Sequence, residues 1–132
     1  GGSGASDPKI VFDKSAGQIE MTNGDILIGE FMTLSRQVLS ITGATSTIVP
    51  TASFVALSPT ANKTFVGGTS ISDKTTGTVI ILTNISSTYT VTIVDGYNVQ
   101  LSSGLAVTLG LDDTIMLIHD GSEWIEISRS DN

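Results

Sequence analysis

From Thr51 onward, apolar residues fall in short runs divided by turn residues at intervals of roughly 8–12 positions, the spacing of strands in an all-β sandwich or jelly roll. The pattern predicts strands over 53–57, 63–66, 78–82, 89–93, 99–101, 106–109, 115–118 and 124–127. Turn chemistry bounds them: Ser58-Pro59, Gly67-Gly68, residues 84–87, Asp95-Gly96 and Ser102-Ser103-Gly104. The last two runs flank Asp120-Gly121, a dipeptide that tolerates the positive φ of a tight primed turn, so a closing hairpin is expected there. Trp124, the one tryptophan, follows that turn and is the expected anchor of the core. The run Val79-Ile80-Ile81-Leu82 is apolar at every position. A strand of that kind is either central in its sheet or meets a neighbouring subunit on its second face.

The first third is organised differently. Residues 1–8, opening Gly1-Gly2-Ser3-Gly4-Ala5-Ser6, have the composition of a flexible linker or cloning scar. Residues 9–12, 18–21 and 25–28 then form three short strand candidates, with Asn23-Gly24 as a tight turn before the third. Their apolar set is too small to stabilise an isolated three-stranded sheet, so this meander needs a partner surface. Residues 29–50 carry mixed signals and read as strand or irregular, either a neck or the first strands of one continuous sandwich. The expected organisation is a linker over 1–8, a meander and neck over 9–50, and a C-terminal β-sandwich over 51–132. The expected fold class is all-β, an antiparallel sandwich or jelly roll with a short N-terminal meander or shaft-like arm.

Composition sharpens this picture. Charged residues make up 14 % of the chain and mean hydropathy is +0.27, which sets the sequence apart from disordered chains. Thirteen acidic against six basic residues give a net charge of −7. The basic residues do not cluster, so nucleic acid and anionic membrane surfaces are poor partners. No apolar run reaches the length of a membrane-spanning helix. Cysteine is absent, which removes disulfides, thiolate metal sites and thiol nucleophiles.

Candidate chemistry is sparse. His119 is the only histidine and has no second histidine or cysteine to complete a metal site; a structural role is favoured. Asp112 and Asp113 are adjacent, so on a strand they would point to opposite faces, and a solvated turn suits them better than acid–base work. Asp95-Gly96 reads as a turn with too few oxygen ligands nearby for calcium. Hydrolase, zinc-protease and nucleotide-binding motifs are missing. The triplets at Asn62 and Asn84 match the glycosylation sequon, a pattern frequent by chance in a chain rich in Ser and Thr. Arg129 could pair with Glu126 or with an acid on a second copy, contributing under about 1 kcal/mol as an exposed pair. These readings imply no enzyme activity and no cofactor.

The ending Asp120-Gly121-x-x-Trp124-x-Glu126-Ile127-Ser128-Arg129-Ser130-x-Asn132, with Thr90 to Ile93, Asp95-Gly96, Asn98-Val99 and Leu101 before it, resembles the C-terminal modules of phage and prophage tail fibres and virion appendages. The resemblance spans 62–132 and implies a trimeric, β-structured piece of a virus particle. It leaves open whether the piece is a tail fibre or a head fibre or capsid decoration. Three copies would each bury a face that one copy leaves bare. Candidate interface residues are Phe12, Ile19, Met21, Ile26, Val79 and Ile81. Candidate surface-binding positions are Ser72, Asp73, Lys74, Asp95, Tyr97 and Asn98, facing a host-surface glycan or protein. Expected partners are further copies of the chain and other virion proteins. A carbohydrate-binding module is a third reading, weakened by having only Tyr89, Tyr97 and Trp124 as stacking aromatics.

Overall fold

The structure, a computed structural model, describes residues 9–13, 18–22 and 32–132. It divides into two compact units, Gly1–Thr33 and Leu34–Asn132. In the first, strands β1 (Lys9–Asp13) and β2 (Gln18–Thr22) pair antiparallel, with Phe12 opposite Ile19 and Ile10 opposite Met21. The expected third strand over 25–28, the linker over 1–8 and Ile26 lie outside the described residues.

The second unit is a β-sandwich. One sheet has six strands in the order β3 (Arg36–Ile41), β4 (Phe54–Pro59), β6 (Val79–Asn84), β10 (Thr114–His119), β11 (Trp124–Ser130) and β8 (Val99–Gln100). The other has three, β5 (Lys63–Phe65), β7 (Val91–Ile93) and β9 (Val107–Leu109). The sheets are mixed where antiparallel pairing was expected: β3–β4, β4–β6, β5–β7 and β8–β11 run parallel. Topology explains this. From β4 to β10 successive strands alternate between sheets, so Ser58-Pro59 and residues 84–87 throw the chain across the sandwich instead of folding it back. For β4–β6 and β5–β7 the intervening strand in the opposite sheet serves as the crossover that parallel neighbours require, while residues 42–53 make the connection between β3 and β4.

Residues 34–50 belong to this unit. Strand β3 pairs with β4 along its whole length, and Ile48 bridges to Ile71. The boundary therefore lies at 33/34, not at the expected 50/51. The reason is burial: Ile41 and Ile48 are fully enclosed, and only the sandwich can supply that enclosure.

Between the sheets, Val55, Leu57, Ile80, Leu82, Ile115, Leu117 and Trp124 from the large sheet meet Phe65, Val91, Ile93, Val107 and Leu109 from the small one. Trp124 is fully buried; its indole N–H donates to the Ser72 carbonyl at 3.2 Å, and its ring meets His119 edge-on at 5.0 Å. Asn84 is fully buried beside this core. Its amide donates to the carbonyls of Tyr89 (2.8 Å) and Leu109 (2.9 Å) and its oxygen accepts from the Ser86 N–H (3.0 Å), which ties the end of β6 to the small sheet. Both N–H donors and the oxygen of this buried amide are thus hydrogen-bonded, which is what its burial requires. Its enclosure also leaves no access for a glycan at that sequon.

The closing hairpin departs from a two-residue primed turn. His119 pairs with Trp124 across the four-residue loop 120–123, where the Asp120 carboxylate accepts the N–H groups of Ser122 (2.8 Å) and Glu123 (2.9 Å). The aspartate side chain closes this turn through its own hydrogen bonds. Gly121 (φ +112°) is required twice, by its backbone angle and because a Cβ there would lie 2.7 Å from the Thr76 hydroxyl. Further along, a β-bulge between Met116 and Leu117 leaves Ile127 without a partner residue, so the strand turns Ile127 to solvent.

Candidate functional site

The pleat that sends Val55, Leu57, Ile80, Leu82, Ile115 and Leu117 inward sends their neighbours outward. Register then aligns the outward residues in rows across the large sheet. Phe54 pairs with Ile81 and Ile81 with Met116, while Val79 pairs with Ile118 and Ile118 with Ile125. All six are exposed or partly exposed, and Val38 (56 %) and Ile127 (52 %) extend the patch at its two sides. No charged side chain stands within those two rows between Phe54 and Ile125. This is a continuous apolar face on the outside of a sheet, larger than the scattered apolar residues a solvated surface carries.

Of the interface candidates, Ile81 sits in the middle of the first row and Val79 at one end of the second. For Phe12, Ile19 and Met21 the strand register is described, but their side chains lie outside the described residues, as does all of Ile26. Phe54, Met116, Ile118 and Ile125 were not singled out from the sequence. The signal was available: Ile115-Met116-Leu117-Ile118 is apolar at all four positions, like the run at Val79.

The loop candidates divide into three places. Ser72, Asp73 and Asn98 come together beside Trp124: the Asn98 oxygen accepts from the Ser70 N–H (3.0 Å), and its amide donates to the Ile71 carbonyl and, at 3.4 Å, to Asp73. Tyr97 projects from the adjacent turn and is 68 % exposed. Lys74 instead borders a cleft of about 230 Å³ lined by Pro50, Thr51, Ser53, Thr78 and Ile80. Asp95 faces its own loop, where its carboxylate accepts from the Leu101 N–H at 2.6 Å. That structural bond takes up one of its oxygens.

The acidic groups act as structural clamps. Asp113, expected in a solvated turn, is buried; its two oxygens accept from Gly110 N–H (2.7 Å) and Asn132 N–H (2.8 Å). Those two backbone bonds, Asn132 first, hold its carboxyl below the usual value despite desolvation. Glu126 is enclosed at its carboxylate, and Arg129 grips it with two bonds of 2.6 and 2.7 Å while the Ser102 N–H adds a third at 2.8 Å. The pair is thus half-buried and bidentate, not the exposed pair expected. Burial pushes the Glu126 carboxyl up, but the Arg129 and Ser102 bonds together outweigh it and leave the group below its ordinary value. At Asp120 the Glu123 and Ser122 N–H groups lower the carboxyl in the same direction. His119 is buried, with Nδ1 accepting from the Gly121 N–H at 3.2 Å and Nε2 lying 3.8 Å from Asp73. Among the described residues no cluster of His, Cys, Asp or Glu could hold a metal ion.

A pH dependence follows with a definite sign. Carboxyls lowered in the folded state bind fewer protons than in the unfolded chain, so their stabilisation is present above the ordinary carboxylate value of about 4. It is lost as pH falls through the folded values. Urea midpoints should therefore change little between about pH 7 and 5 and drop below about pH 4. Glu126→Gln should flatten that acid limb, whereas an unchanged limb would show that the clamp carries none of it.

No curated protein and no solved structure matches the chain significantly. Residues 40–125, well over half of the chain, match a family model described as the phage depolymerase C-terminal beta sandwich domain. The match begins within β3, upstream of the resemblance that started at Asn62, and stops just short of the Glu126–Asn132 ending. An all-β sandwich with a bare outer sheet face, matched over the stretch that builds both sheets, belongs to the family of phage depolymerase C-terminal β-sandwich domains, a phage tail-associated module.

Proposed function

We propose that the chain is a non-catalytic structural module of a phage particle that assembles as a homotrimer through the outer face of its six-stranded sheet, with its loops turned toward the host surface. The observation that carries this reading is the pair of apolar rows Phe54–Ile81–Met116 and Val79–Ile118–Ile125. Six adjacent large apolar side chains that each keep part of their surface in water are unfavourable, and copies packed about an axis remove that surface from it. A threefold arrangement closes on itself, so it leaves no matching face free to add further copies. The carboxylate clamps at Asp113 and Glu126 fit a part that meets mechanical force, since they fasten β11 and the residues after it to the loops around them. Sedimentation equilibrium of the full chain tests the oligomer. A mass three times 13.7 kDa supports the proposal, and a single-copy mass at micromolar concentration overturns it.

A further inference from the structure

His119 is buried at the end of β10, and its two ring nitrogens keep unequal company. Nδ1 accepts the Gly121 N–H at 3.2 Å, so the neutral imidazole carries its proton on Nε2. Among the described residues that Nε2–H has no hydrogen-bond partner, although it is shut off from water. A buried donor left in this way is unfavourable, so where it points is informative. Asp73 Oδ1 lies 3.8 Å from it, just beyond a hydrogen bond. The same oxygen lies 3.4 Å from the Asn98 amide nitrogen. One carboxylate oxygen thus stands between two donors and holds neither closely.

A second proton on the imidazole changes which of these contacts survive. It can enter only at Nδ1, where it would face the Gly121 N–H donor to donor, so that bond breaks. The resulting imidazolium is too costly to bury without an anionic partner. Asp73, with a side chain 65 % exposed, has the freedom to close the remaining gap. A charge-assisted bond from Nε2–H then outcompetes the neutral Asn98 amide. The other charges around the ring are already engaged or set aside. In the tip loop the Asp120 carboxylate is taken up by the N–H groups of Ser122 and Glu123, which leaves the Glu123 side chain as the one alternative there. Lys74 borders the cleft at Pro50 and Thr78. Strands β6 and β8 bring no charge, and on β11 Arg129 holds Glu126 while Trp124 presents its ring.

We propose that His119 is a pH-operated latch: near neutrality it fastens the hairpin tip through Gly121, and in mild acid it releases Gly121 and takes Asp73 instead. The exchange reaches the surface through Asn98, whose side chain ties the loop carrying Tyr97 to Ser70 and Ile71 and loses Asp73 when the latch turns. Acid therefore loosens the tip and resets the loop beside it. The latch lies within one copy and works whether or not copies assemble. Because one contact replaces another, the urea midpoint between about pH 7 and 5 stays level, and the change is local.

Amide-resolved NMR and hydrogen exchange of the full chain, compared at about pH 7.5 and pH 5.5, test this across the range in which imidazoles ordinarily titrate. The imidazole nitrogen signals should show the Nε2–H tautomer at the higher pH. Protection of the Gly121 N–H should fall at least about tenfold at the lower pH, while Ile115 in the middle of β10 keeps its protection. The Asn98 side-chain amide should shift over the same range. Asp73→Asn should keep Gly121 protected at the lower pH, because the imidazolium loses its partner, and Glu123→Gln should respond as wild type does. The opposite tautomer, Gly121 protection that does not change with pH, or a fall that Ile115 shares each overturns the latch. So does a fall that survives Asp73→Asn or vanishes in Glu123→Gln.

Discussion

Trp124→Ala should destabilise the sandwich by about 3–5 kcal/mol and lower its unfolding midpoint by on the order of 20 °C. Three losses combine in that figure. The indole is fully enclosed between the sheets, so its removal leaves a cavity that β-strands held by ladders on both sides cannot collapse into. The Ser72 carbonyl loses its N–H donor, and His119 loses the ring on which its edge rests. Against a typical domain stability of about 5–15 kcal/mol, the variant is left marginal. Trp124→Phe separates the contributions, since it keeps most of the volume and drops the hydrogen bond; about 1–2 kcal/mol is expected. Urea denaturation of both variants at neutral pH measures this, and a shift below about 1 kcal/mol for the alanine variant would show that the core does not depend on the indole.

Ile81→Lys is expected to leave the sandwich folded and reduce the assembled mass to that of one copy. Ile81 points away from the core, and its inward neighbours Ile80 and Leu82 carry the packing. A lysine there would cost little in a single copy, where it would reach water. In an assembly it would place an unpaired ammonium in each apolar interface, a cost of about 3–5 kcal/mol per site when nothing pairs with it. Thr88→Lys, an exposed loop change of equal charge, is the control and should leave the mass unchanged. Loss of folded signal in Ile81→Lys, or an undiminished mass, would count against the face as the interface.

Much of the sandwich was legible because period-two patterning and turn residues act locally. The runs at Phe54, Val79, Val91, Val107 and Trp124 all became strands. What failed was non-local. Pairing direction depends on which sheet the chain enters after a turn, and a Ser-Pro step reads alike whether it folds back or crosses over. Asn84 and Asp113 looked like solvent-facing turn residues, and only the packing of the small sheet and the Asn132 N–H enclose them. Residues 29–50 read equally as a neck or as the first strands of the sandwich; pairing of β3 with β4 decides for the second over 34–50. For the candidate face, the sequence showed that Val79 to Leu82 was apolar on both sides. The partners of that strand, and so the breadth of the patch, emerged only with the register.

Met116 offers the most direct measurement, because it lies within the apolar rows while Met32 is 68 % exposed and serves as an internal reference. Oxidation by dilute peroxide, followed residue by residue by mass spectrometry, should reach Met32 equally in wild type and in Ile81→Lys. Met116 should be protected in the wild-type assembly and oxidise at least about tenfold faster in the variant. Equal rates at Met116 in the two proteins would mean that nothing covers the outer sheet face.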